Sequence, residues 1–211
     1  MNLYHTLSAR TTRIIPENPL PADPFRTLFA FVICGIGLGT ILCSKANLAL
    51  PAWSAQGLML TGAARSLWDA FGTVLLPCLV LLTGILISGF SACGQPLTAL
   101  LLILRGAAAG AAAANVFQIM PLHDAFPLTA ALILPYSILS AVILVSAAKR
   151  SAALSGKLTA YCFHGQSDPE ITAYMRRFLA GFLLDAFLLM LAAGMQIFLL
   201  WLLNDRLLRA L

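Results

Sequence analysis

Few side chains in this 211-residue chain could do chemistry. Only 10% of the residues are charged, and there are three histidines and five cysteines. The histidines, His5, His123 and His164, are far apart. The cysteines, Cys34, Cys43, Cys78, Cys93 and Cys162, are odd in number and form no C-x-x-C pair. They read as small apolar residues, with neither a disulfide framework nor a metal site. HExxH, Walker and GxSxG patterns are missing, as are the paired carboxylates or Ser–His set an intramembrane enzyme would need. The residues point to no catalytic site, cofactor or metal. Two charges remain of interest because of their setting, Arg105 and Asp185, each inside a long apolar run.

An unpaired charge at the centre of a bilayer costs at least about 2.5–3.5 kcal/mol. Arg105 should therefore face the protein interior or reach a polar partner. Counted from the turn before Leu97 and from the Arg176-Arg177 edge, Arg105 and Asp185 fall at similar depth. Asp185 is thus the candidate counter-ion, and the pair would fix helix register. The alternatives are a transport or proton-relay role and an arginine that snorkels without a partner.

The elements that must position these groups follow from composition. The chain is 60% hydrophobic, its mean hydropathy is +0.91 and its pI is about 9.2. A soluble domain carries about 25% charge, so a water-soluble globule and a disordered chain are both excluded. The net charge of +5 does not point to nucleic acid, because the basic residues flank apolar segments. That placement orients a membrane protein. The expected fold is an all-α polytopic transmembrane helix bundle with five spans, about 25–43, 71–90, 97–117, 125–148 and 178–203. A tail, 1–24, precedes it and a short external tail, 204–211, follows. The first run is too long, and lacks the A-x-A-like site, for a signal peptide.

Between the first two spans, residues 44–70 are too polar to cross, and Trp53 and Trp68 suit the headgroup level. A short helix over 52–64 could lie at the interface or on the bundle; a re-entrant segment at 46–64 would make six spans. Residues 118–124 read as a short loop and 149–177 as the one substantial polar loop. Pro135 should kink or start the regular helix of the fourth span. With five spans, one side holds Arg10, Arg13, Arg26, Lys149, Arg150, Lys157, Arg176 and Arg177, and the other Lys45, Arg65, Arg206 and Arg209. The positive-inside rule then places the N-terminus in the cytoplasm.

Apolar burial does not drive association in lipid, so small residues and polar contacts must. Gly35 and Gly39 form one GxxxG, Gly106 and Gly110 another, and Gly84 with Ser88 a small-xxx-small pair. These faces suit packing within the bundle, a partner helix, or a second copy in a homo-oligomer.

Two stretches also carry a resemblance. Residues 87–97 with Gly89, Phe90, Ser91, Gly94 and Pro96, followed by Arg105, Gly106 and Gly110, fit a G-[FY]-S-x-x-G-x-P turn and an R-G-x-x-x-G helix. Pro135-Tyr136, then Lys149-Arg150-Ser151 and Leu154-Ser155, fit a proline-initiated helix with a basic, serine-containing edge. Together, over about 71–160, they resemble the stage II sporulation protein M family; Gln95 and the alanine-rich 107–114 depart from it. The resemblance implies a non-enzymatic multi-pass protein of the plasma membrane in spore-forming Firmicutes, in the mother-cell membrane that engulfs the forespore. There it would anchor two peptidoglycan-degrading partners, the stage II sporulation proteins D and P. The competing reading is a transporter or ABC-exporter membrane subunit with a polar site at Arg105 and Asp185. The five spans show no internal repeat of the kind common in secondary transporters.

Overall fold

The computed structural model describes residues 24–46, 67–91, 94–119, 121–164 and 171–207. The tail 1–23, the segment 47–66 with its candidate helix or re-entrant stretch, and 208–211 lie outside the described residues. Among the described residues, six α-helices and one π turn follow in order: α1 Pro24–Ala46, α2 Leu67–Gly89, α3 Gly94–Ile119, α4 Leu122–Leu128, the π turn Thr129–Ile133, α5 Leu134–His164 and α6 Ile171–Leu207. No strand occurs among the described residues.

Among the described residues, five segments are long and apolar enough to cross a membrane: Phe25–Lys45, Phe71–Gly89, Gly94–Gln118, Ala125–Thr159 and Tyr174–Leu202. The outward faces carry Ile33, Leu42, Leu76, Val80, Leu183 and Phe187, all exposed on the bundle. Such a surface is stable against hydrocarbon and not against water. The architecture is that of a multi-pass membrane protein, an all-α bundle of five spans.

Prolines set several boundaries. Pro24 opens α1, where its missing N–H costs nothing. Pro96 stands in the first turn of α3 for the same reason. Pro135 is the second residue of α5. It cannot donate to the preceding turn, and the chain there widens to the π turn. Pro77 sits inside α2 and brings no N–H to the turn before it.

The fourth and fifth spans correct the sequence reading. The run 125–148 is built of α4, the π turn and the first half of α5. Most of the expected loop 149–177 is helical, since α5 continues to His164 and α6 begins at Ile171. Polarity marks where a helix leaves the bilayer and not where it stops, and Ala152-Ala153-Leu154 and Lys157-Leu158 are good helix formers. Likewise α3 reaches Ile119, α4 starts at Leu122, and α6 runs to Leu207 into the expected tail.

The directions alternate as five crossings require. Cys43 meets Asn115 and Gly35 meets Gly106, so α1 and α3 run parallel. Tyr136 meets Val74 and Ser151 meets Ile85, so α2 and α5 also run parallel. Arg150 meets Asp185, and α6 returns antiparallel to α5. α5 is central and touches α1, α2, α3 and α6. The core at its sides is Leu82, Ile85, Leu102, Leu144, Leu189 and Ala192.

Candidate functional site

The two stretches that carry the resemblance meet at one end of the bundle. After Gly89, the backbone turns through Phe90 and Ser91, whose N–H groups donate to the carbonyls of Ile87 and Ser88 (3.1 Å each). α5 closes over this turn. The Ser155 hydroxyl donates to the Ser91 carbonyl at 2.7 Å, and the Ser151 hydroxyl to the Ile85 carbonyl at 2.8 Å. Ser88, Thr98 and Ser151 form a buried hydroxyl cluster, with Ser88 2.8 Å from Thr98 and 3.2 Å from Ser151. One assignment uses each proton once: Ser88 donates to Thr98, Thr98 to the Gly94 carbonyl and Ser151 to the Ile85 carbonyl.

Two glycines make this closeness available. A Cβ on Gly89 would lie 3.0 Å from the Ser151 Oγ and 3.1 Å from Phe178. A Cβ on Gly94 would fall on the Ser88 carbonyl. Phe90 meets Phe178 edge to face, with centroids 5.9 Å apart. Pro96 is exposed at the start of α3.

The GxxxG faces of Gly35/Gly39 and Gly106/Gly110 are turned toward one another. A Cβ on Gly35 would come 3.0 Å from the Gly106 Cα, and one on Gly106 equally close to the Gly35 Cα. A Cβ on Gly39 or Gly110 would run into the backbone of Ala107 or Ile36. These four glycines are thus consumed inside the chain, where α1 and α3 touch backbone to backbone.

Arg105 and Asp185 do not pair, contrary to the expectation from depth. Asp185, 3% exposed, forms its ion pair with Arg150. The guanidinium of Arg150 lies over Gly181, where a side chain would collide with it, and also donates to the Ser146 carbonyl at 3.4 Å. Arg105, 6% exposed, donates to the Ser140 hydroxyl and lies 5.6 Å from the centroid of the Tyr136 ring. Ser140 and Arg150 are ten residues apart on α5, or about 15 Å along its axis. The Arg150 guanidinium folds back over Ser146 to reach Asp185, so each of the two charges finds its own partner on α5.

Arg105 has no carboxylate partner among the described residues, and its Nε lacks an acceptor. The Tyr136 hydroxyl donates to the Val74 carbonyl at 2.9 Å. The Cys78 thiol, 3.0 Å away, must then donate to the phenol. Cys43 is also buried, as expected of a small apolar residue, whereas Cys34 is exposed on the outer face of α1. No group of three metal-ligating side chains occurs among the described residues.

Sequence reasoning singled out the turn glycines and both intramembrane charges. It missed Ser140, Ser151 and Ser155 as ties, along with the Cys78–Tyr136 contact and the depth of Arg150. The signal was present in the spacing of Ser140, Leu144, Ala147, Ser151 and Ser155, one stripe of α5 at helical period. The chain matches no family model, no curated protein and no solved structure.

Proposed function

We propose that this protein is a non-enzymatic membrane scaffold of the stage II sporulation protein M type, which anchors cell-wall hydrolases resembling the stage II sporulation proteins D and P. In this reading its N-terminus is cytoplasmic and its membrane is the plasma membrane that engulfs the forespore. The observation that supports it is that the residues of the resemblance act on one another. The G-F-S-x-x-G-x-P turn of residues 89–96 is bound by Ser155 of the second stretch, and Ser151 of that stretch binds the Ile85 carbonyl just before it. Arg105 turns inward to Ser140 while Gly106 and Gly110 turn toward α1. A signature whose glycines, serines and arginines hold the helices to one another suits a protein that works by holding a shape.

With the glycine faces of α1 and α3 occupied by each other, the partner would dock on the external segment 44–70 and on the exposed apolar flanks. The competing transporter reading needs Arg105 and Asp185 in one polar site, and each is held by a partner of its own, Arg105 by Ser140 and Tyr136 and Asp185 by Arg150. Affinity purification of the tagged protein from cells at the engulfment stage tests the proposal. Recovery of cell-wall hydrolases is expected. Recovery of an ATPase, with no hydrolase, would overturn the scaffold in favour of the exporter subunit.

A further inference from the structure

A crevice opens on the flank of the bundle between α2, α5 and α6, independently of any scaffolding role. Its walls are Ile85, Leu86, Ala147 and Phe182, and its polar floor is Arg150 with Asp185. The walls are hydrocarbon, and they lie within segments of membrane-spanning length. One end, by contrast, is cationic. Arg177, Gly181 and Asp185 follow at i, i+4 and i+8 on α6, so Arg177 stands one turn from the glycine over which the Arg150 guanidinium lies. Arg177 is exposed there. The span 149–177 holds five basic residues against two acidic ones, Asp168 and Glu170. Asp185 neutralises one guanidinium of the set through its pair with Arg150. The end of the crevice therefore keeps a net positive charge beside an apolar slot.

We propose that this crevice binds an anionic phospholipid. The phosphate sits between Arg150 and Arg177, and an acyl chain lies along Leu86 and Phe182. Guanidinium groups match phosphate oxygens through paired N–H bonds. Gly181 lets Arg150 reach the site without leaving Asp185. A water-borne phosphate would gain nothing from the hydrocarbon walls, while a lipid supplies both halves. A zwitterionic lipid brings a cationic headgroup into a cluster of arginines and lysines, so the site prefers a net negative lipid.

The test uses the full-length protein purified in detergent, with phosphatidylglycerol, phosphatidylcholine or inorganic phosphate added. Native mass spectrometry counts retained lipid, and a thermal scan reads protection. Phosphatidylglycerol should be retained in preference and should raise the midpoint more than phosphatidylcholine does. The variant R177Q should lose about five-fold in that preference, at roughly a factor of five per basic residue. Equal retention of the two lipids by the unaltered protein would overturn the proposal, whatever the variant does. So would equal protection by inorganic phosphate, or a folded R177Q variant that keeps the preference.

Discussion

Along α1 and α3 the two backbones meet with only glycine hydrogens between them, at Gly35, Gly39, Gly106 and Gly110. Along α5 the neighbours are tied through hydroxyls, a phenol and two arginines. Both seams solve the same problem, association in a solvent as apolar as leucine. The first does it by shape, and nothing in it can adjust: any side chain at those glycines meets carbonyls that belong to a neighbouring helix. The second does it by many small polar contacts, each replaceable. The difference teaches that the tolerance of a membrane bundle to substitution depends on which seam is touched more than on depth or burial.

The largest effect should come from the rigid seam. G106L should separate α1 from α3. The loss should exceed the usual 1–3 kcal/mol for overpacking, because the atoms in the way are backbone. The native Cys43 lies 3.0 Å from Asn115, so N115C offers a proximity gauge. Oxidative cross-linking should be efficient with N115C alone and vanish when G106L is added; persistent cross-linking would mean that the seam can open without parting.

Next comes D185N, which leaves Arg150 without its anion. A loss of about 2 kcal/mol is expected, below the 3–5 kcal/mol of a fully buried pair because the Arg150 side chain is 33% exposed. In a thermal scan that is roughly 4–8 °C. An unchanged midpoint would show that solvent or lipid headgroups replace the carboxylate.

R105M goes the other way. Among the described residues the guanidinium carries one hydrogen bond, one aromatic contact and no counter-ion. Replacing it with a side chain of similar length should leave the midpoint unchanged or raise it by a few degrees, since desolvating a charge is costly. A drop of more than about 4 °C, some 1 kcal/mol or more, would show that the contacts to Ser140 and Tyr136 outweigh that cost.

The smallest effect belongs to S151A. Interhelical hydroxyl bonds in membrane bundles average about 0.6 kcal/mol, which is roughly 1–2 °C. A double-mutant cycle of S88A and S151A should give a coupling below about 1 kcal/mol. A larger value would make the hydroxyl cluster a rigid unit like the glycine seam and erase the contrast between the two.

How much of this could be read from the sequence divides along the same line. The rigid seam was legible because GxxxG is a backbone statement: glycine at that spacing has few other uses in an apolar run. The five crossings, and the start of a regular helix at Pro135, were legible for similar reasons, from length and from a missing N–H. The polar seam was not. A serine in a membrane helix can bond its own preceding turn, as Ser140 does with the Tyr136 carbonyl at 2.7 Å, and so need not announce a neighbour. Arg150 was missed as the partner of Asp185 because hydropathy reports solvent and not which side chain a neighbouring helix presents.

The parallel contact of α1 with α3 also has a history in time. Cys43 and Asn115 are 72 residues apart, with all of α2 between them. At about 5–20 residues per second, α1 leaves the ribosome roughly 4–14 s before the helix it fits. During that interval the face of Gly35 and Gly39 lies against lipid or another protein's helix. Whatever holds α1 then must release it when α3 arrives. The assembly of this bundle thus includes a handover, set by the order in which the chain is made.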